Sequence, residues 1–280
     1  MVDFGIMQGR ILPEDLNLLQ VFPRSQWENE MVNARELGFD TVELLYDKSM
    51  ILRNLLEVPE NLEKLGILKK GSINNARILS KSICLDYLTE LSIFDSSQKK
   101  MFWGSIIGLT KQLAGTTISI FVIPFLEKNN LSSAAQLDKL VSLLDSLNID
   151  KIGGQFGIKY CLELNLPASV IKNAFDQSGF KNIKLCYDTG NARSQGYLPE
   201  VEIDNLGDVI YHVHIKDRSV GGPNVMLGKG DVDFEAGFKS FERIGYDGLM
   251  VLETPYSISP AKEAQTNLSY IKQYIAKKNE

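Results

Sequence analysis

Histidine is nearly missing from this chain: its 280 residues hold two, His212 and His214, placed two positions apart. Cysteine is almost as scarce. Cys84, Cys161 and Cys186 are odd in number, none has CxxC spacing, and each falls in an apolar run, so buried thiols in a reducing cytoplasm are expected. Long apolar runs are missing as well. The longest, Ile118 to Leu126, is about half of a membrane span, and the opening MVDFGIMQGR lacks the basic start and apolar stretch of a signal peptide. Positive charge is not in excess: 30 Lys and Arg stand against 35 Asp and Glu, a net charge of −5, so no global field recruits nucleic acid or an anionic membrane. There is no repeat, low-complexity tract or Pro/Gly/Ser linker. These absences describe a soluble cytoplasmic protein with one domain over residues 1–280; a homo-oligomeric state is an expectation the sequence leaves open.

What is present is an alternation. Hydrophobic residues make up 44% of the chain, enough for a large core. Runs rich in β-branched and aromatic residues predict strands at Phe4–Arg10, Phe39–Leu45, Ser82–Leu88, Thr117–Phe125, Lys159–Asn165, Ile183–Asp188, Val209–Ile215 and Gly248–Glu253. Helical spacing fills the gaps at Ser25–Leu37, Ser97–Ala114, Ser132–Leu147, Pro167–Gln177, Asp233–Arg243 and Ala261–Lys277, with a weaker stretch at Glu202–Gly207. Pro59–Ser80 is helical in pattern but broken by Gly66 and Gly71, which predicts two pieces. Eight strands alternating with helices predict an α/β fold that closes as a (β/α)8 barrel. The competing open, doubly wound sheet lacks its usual signature, since no GxGxxG or GxxxxGK[ST] follows any strand.

The stretch YHVHIKDR, Tyr211 to Arg218, carries both histidines. On a strand, side chains alternate, so His212, His214 and Lys216 share one face and Tyr211, Val213 and Ile215 the other. Active sites of such barrels lie at the C-terminal strand ends. There the sequence places Glu163 (CLELN), Asp188 (CYDTGN), His214 and Glu253 (VLETPY) on four consecutive strands, each on the face opposite its apolar neighbours. Three carboxylates and an imidazole converging in one mouth would repel one another without a cation. Mixed nitrogen and oxygen donors suit one divalent ion, Mn2+, Zn2+, Co2+ or Mg2+.

The strings ELN, YDTGN, HVHIKDR, LGKGDVDF and VLETPY, in this order and with the opening MQGR and the CLDY run, resemble the xylose-isomerase-like TIM-barrel superfamily of sugar isomerases and epimerases along essentially the whole chain. The resemblance implies a metal site of Glu163, Asp188, His214 and Glu253, with Glu163 and Glu253 doubling as the acid/base pair and Arg218 contacting substrate. It is nearest to the phosphopentulose 3-epimerase branch. Epimerases of free ketoses tend to have histidine three residues after the aspartate, where this chain has Asn191, and a second glutamate six residues after the first, where it has Ser169. Endonuclease IV shares the fold, but its three-zinc site needs more histidines than this chain contains.

The expected activity is proton abstraction beside a carbonyl, through an enediolate stabilised by the metal as a Lewis acid, on a sugar or sugar phosphate. The same parts give an isomerase if the proton returns to the neighbouring carbon, a dehydratase if a β-hydroxyl leaves, or a sugar-binding barrel without turnover. A phosphate would find donors at Gly228-Lys229-Gly230, with Arg10, Arg193 and Lys216 as further candidates; equally, this loop is a turn into a helix capped by Asp233. Asn191 is placed with the substrate contacts. Glu43 and Asp86 bind sugar hydroxyls or are structural, His212 lies behind the metal or faces substrate, and Lys216 and Asp217 are read as a strand-end ion pair.

Overall fold

The computed structural model describes residues 2–15, 17, 20–69, 78–126, 129–256 and 258–276. Seven parallel strands, β1 (Asp3–Met7), β2 (Thr41–Leu45), β3 (Ser82–Cys84), β4 (Ile120–Pro124), β5 (Lys159–Glu163), β6 (Ile183–Asp188) and β7 (Ile210–Ile215), lie side by side. A short antiparallel hairpin, β8 (Asp217–Arg218) and β9 (Asn224–Val225), follows β7. The eighth barrel strand is β10 (Leu249–Leu252), which pairs with both β7 and β1 and closes the ring. The closure joins distant parts of the chain, with Asp3 opposite Leu249 and Ile6 opposite Leu252.

Helices α1 (Trp27–Glu36), α2 (Ile51–Leu56), α3 (Pro59–Lys64), α4 (Ser96–Gln112), α5 (Ala134–Ser146), α6 (Ile149–Phe156), α7 (Ala168–Ser178), α8 (Thr189–Ser194), α9 (Pro199–Leu206), α10 (Phe234–Arg243) and α11 (Pro260–Ala276) are laid between the strands. The fold is a (β/α)8 TIM barrel. One apolar cluster fills the space between strands and helices, while Met7, Leu45, Cys84, Ile120, Val122, Cys161, Cys186, Leu249 and Val251 form a second one. All three cysteines are in that second cluster, buried and free.

The predicted strands all form, several of them shorter. β1 stops at Met7 because Gly9 has φ +86°, a conformation that favours glycine, and a Cβ there would meet the Val21 carbonyl at 2.7 Å. β3 gives way to a 3₁₀ turn over Asp86–Glu90. Three short helices, α2, α6 and α8, escape the sequence pattern; α6 carries Gly153 because a side chain there would press on the Ile158 carbonyl. The helix expected around Glu202 begins at Pro199, an N-terminal position suited to proline. Of the two pieces expected over Pro59–Ser80, the first forms as α3; the described residues 65–69 and 78–80 are not helical, with Lys69 bridging to Thr116, and residues 70–77, Gly71 among them, lie outside the described residues, as does Lys277 of the closing helix.

The loop from β1 to α1 is held by Glu30, a buried side chain of α1. Its Oε1 accepts from the amides of Gly9 (3.0 Å), Ile11 (2.9 Å) and Leu12 (3.2 Å), and its Oε2 accepts from Gly9 at 2.9 Å. This grip fixes the backbone on both sides of Arg10. Replacing Glu30 with alanine leaves buried amides without acceptors and should lower stability by about 3 kcal/mol or more. Glu30→Gln, which keeps an acceptor oxygen, should lose less, and denaturant unfolding at pH 7 measures both.

Candidate functional site

Parallel strands of a barrel end together, so their last inward side chains meet at one mouth. Glu163, Asp188 and His214, from β5, β6 and β7, each bring a donor atom to within 4.8 Å of the others. Glu253, just past β10, places Oε2 3.0 Å from His214 Nδ1, and Glu163 Oε2 is 3.8 Å from the same nitrogen. The four residues picked at strand ends are thus brought together.

Below them, Glu43 of β2 reaches across the barrel, with Oε1 2.7 Å from His214 Nε2 and Oε2 2.7 Å from His212 Nε2. All three are 0% exposed. Burial alone would raise the Glu43 carboxyl, but the two imidazoles outweigh it and hold the group well below the usual carboxylate range. Glu43 and His212 therefore sit behind His214, each oxygen of Glu43 on an imidazole, rather than at the rim among substrate contacts. Such a carboxylate behind a histidine fixes the ring's orientation.

Lys216 enters the mouth between two carboxylates, 2.8 Å from Asp188 Oδ2 and 2.9 Å from Glu253 Oε1. The expected Lys216–Asp217 pair does not form, because neighbours on an extended chain point to opposite sides. Asp217 faces away and its carboxylate accepts from the amides of Gly228 (2.8 Å), Gly230 (2.9 Å) and Val232 (3.2 Å). The two glycine amides read as phosphate donors thus already hold Asp217, and Lys229 between them is exposed. The loop is a turn into α10, whose N-cap Asp233 accepts from Ala236 N at 2.9 Å. Arg193 donates to the Asp231 and Tyr197 carbonyls.

Two groups at Glu253 escaped the sequence reading. Gln20 Nε2 donates to Glu253 Oε1 at 2.7 Å, and Arg10, taken only as a phosphate candidate, is buried with Nη2 3.6 Å from the same oxygen. Gln20 sits in a long loop with no periodicity, so nothing local marks it; Arg10 was marked only by its place at the end of the first predicted strand, in the string MQGR. Burial pushes Glu253 upward, but Lys216, His214 and Arg10 together hold it well below the carboxylate range. Glu163 goes the other way, up to about 7, with burial the main cause and Lys216 opposing it. Asp86, half-buried after β3, is also raised to about 7, by burial first and then by Glu253 and Asp47.

Asn191, on α8, is buried beside Glu163: its Nδ2 donates to Glu163 Oε1 at 2.7 Å and its backbone amide to Asp188 Oδ1 at 2.7 Å. Arg218 donates through Nη1 to Asn191 Oδ1 (2.9 Å) and through Nε to the Gly222 carbonyl (2.9 Å). Gly190 admits this packing, since a Cβ on it would lie 2.5 Å from that of Lys216.

Glu163, Asp188, His214 and Glu253 fit a divalent cation by donor chemistry, being three carboxylates and an imidazole. Two buried atoms of the set, Asp188 Oδ2 and His214 Nδ1, have no hydrogen-bond partner among the described residues, and their near contacts are ionic ones. Unpaired buried acceptors are costly unless a charged partner completes them.

A family model of the xylose isomerase-like TIM barrel matches residues 31–274. An uncharacterized protein of Methanocaldococcus jannaschii is 27% identical over 169 residues, which span 56% of this chain and 55% of that protein. Among solved structures, an L-ribulose 3-epimerase superposes with a TM-score of 0.72 at 17% identity, over 99% of this chain and 95% of its own. The IolI protein, solved with a bound zinc atom, gives 0.73 at 15% identity over 99% of each chain. At such identities the likeness is one of fold.

Lys216 is the cation nearest both Asp188 and Glu253, so Lys216→Met should destabilise the chelator-treated protein by about 3–5 kcal/mol, as expected when one partner of a buried ionic set is removed. Urea unfolding in EDTA measures it; a loss below about 1 kcal/mol, typical of exposed pairs, would mean that other groups compensate the two carboxylates.

Proposed function

The chain belongs to the xylose isomerase-like TIM barrel family, and from that premise we propose that it is a divalent-metal-dependent epimerase of a ketose. The observation that carries this reading is the pair Glu163 and Glu253, which approach the same atom, His214 Nδ1, at 3.8 and 3.0 Å from strands separated in the ring by β6 and β7. Two carboxylates around a common centre suit a reaction that takes a proton from one face of a carbon and returns it to the other.

In this reading Glu163, Asp188, His214 and Glu253 hold the ion, and Glu43 keeps the His214 ring in place from behind. A bound divalent ion would supply Lewis-acid polarisation of the substrate carbonyl. Glu253, surrounded by Lys216, Gln20 and Arg10, is kept as a carboxylate able to accept a proton from carbon. Glu163 on the opposite side delivers one. Lys216, close to both Asp188 and Glu253, and Arg10 offset their negative charge while substrate carbon carries charge of its own. The L-ribulose 3-epimerase of the same fold supports the choice of a ketose. An unphosphorylated sugar suits the site better than its phosphate, because the amides of Gly228 and Gly230 already hold Asp217.

Chelation should abolish turnover of L-ribulose, and Mn2+, Co2+ or Zn2+ should restore it. His214→Ala should lose tight metal binding while His212→Ala largely keeps it, as read by calorimetry on the stripped protein. Equal loss in both would remove His214 from the assignment.

The two-base scheme is tested by exchange in D2O with metal content checked in each variant. Glu163→Gln and Glu253→Gln should each slow epimerisation by about 10²–10⁴-fold. A variant that keeps its metal should still exchange the α-proton of one epimer and not the other. Exchange of both epimers by each variant would overturn the scheme, label moved to the neighbouring carbon would make the protein an isomerase, and loss of a hydroxyl a dehydratase.

A further inference from the structure

The one direct hydrogen bond to the Glu163 carboxylate among the described residues comes from Asn191, and the orientation of that amide is not free. A guanidinium can only donate, so Arg218 Nη1, 2.9 Å away, requires the oxygen of the Asn191 amide on its side. The NH2 group is thereby turned toward Glu163, where it donates to Oε1 at 2.7 Å. The backbone of Asn191 is fixed in turn by its amide, which donates to Asp188 Oδ1. At the far end Arg218 is tied to the Gly222 carbonyl of the hairpin turn, and that turn is attached to α8 through Gly221 N and the Ser194 carbonyl at 2.9 Å. Each step is short and directional, and the two bonds made by Asn191 to Glu163 and Asp188 are buried.

We propose that Asn191 is a positioning residue: held in one orientation by Arg218, it keeps Glu163 Oε1 as an acceptor and leaves Oε2 as the oxygen turned toward His214. This rests on the reading of Glu163 as an acid/base group and gives that reading a specific geometry. It also gives Arg218 a role through another side chain, where resemblance alone implied direct contact with substrate. Were the amide reversed, its oxygen would face Glu163 Oε1 and the carboxylate would turn away, so a rotation of one side chain would misplace the reacting oxygen. A misplacement of this kind, on the order of 1 Å, can reduce rate about 10²-fold.

The test uses the full-length Mn2+-loaded protein with L-ribulose as probe, following C3 exchange in D2O by NMR. Asn191→Asp keeps an acceptor for Arg218 and nearly the same volume, but replaces the donor facing Glu163 with a second acceptor. It should lower kcat by about 10²-fold with KM within about threefold. Asn191→Ala and Arg218→Met should each lower kcat, and the double variant should be no slower than Asn191→Ala alone, since the arginine acts through the asparagine. Thermal unfolding of wild type, Asn191→Ala, Arg218→Met and the double variant gives a readout independent of turnover: the Tm loss of the double variant should fall short of the sum of the single losses. Normal kcat in Asn191→Asp, or additive effects of Arg218→Met and Asn191→Ala on kcat, would overturn the positioning role. If wild-type protein exchanges no proton from L-ribulose or from D-tagatose and D-fructose, the ketose reading fails; the positioning claim is then decided by the unfolding cycle, and additive Tm losses would sink it.

Discussion

Charge crowded out of water is the constraint on which this barrel mouth depends. Glu43, Glu163, Asp188 and Glu253 are all nearly inaccessible, and each would be prohibitively costly to bury as an isolated anion. What permits the arrangement is that every one lies within contact of a nitrogen: two imidazoles on Glu43, the ammonium of Lys216 on Asp188 and Glu253, the amide of Asn191 on Glu163. The site is stable as a network, and its members cannot be exchanged one at a time without exposing another charge. A divalent cation would belong to the same balance rather than being an addition to it.

Carboxylates also work where no chemistry is expected of them. Glu30 grips the amides around Arg10, Asp47 accepts from Phe22 N at 3.0 Å, and Asp217 draws three amides of the following loop onto itself. Loops at the mouth of a barrel have no ladder to hold them, and a side-chain acceptor buried at the loop's base supplies the missing partner. This is why Lys216 and Asp217, adjacent in sequence, do unrelated things: one balances the site and the other shapes its wall.

The fold was legible because its signal is periodic. Eight β-branched runs alternating with helical spacing survive in the sequence, and the side-chain alternation of a strand was enough to put Glu163, Asp188, His214 and Glu253 at one end and facing one way. What the sequence did not disclose lies in contacts without a period. Gln20 and Glu253 are separated by 233 positions, and Glu43 meets His214 from 171 positions away. No local pattern encodes such pairs; they follow from ring closure. The three short helices were missed for the opposite reason, since six to eight residues hold too few turns to display a helical stripe, and α6 and α8 also carry glycine. The Gly-Lys-Gly loop looked like an anion cradle because its sequence has the flexibility for one, and only the position of Asp217 reveals that the amides already have an acceptor.

The pairing of β1 with β10 has a consequence in time. Arg10 and Gln20 are made early in synthesis, yet both meet Glu253, and the Tyr256 hydroxyl donates to the Asp15 carbonyl across 241 positions at 3.1 Å. Until the final strand leaves the ribosome, the early strand has an unpaired edge, and Arg10 and Gln20 in the loop after it lack the Glu253 carboxylate they meet. Contacts of such long sequence separation form slowly, and an open sheet edge is the part of a nascent chain most open to wrong pairing. The barrel is thus completed by its last strand and its mouth is assembled in the same step, so the newborn chain gains its closed edge and its assembled mouth together.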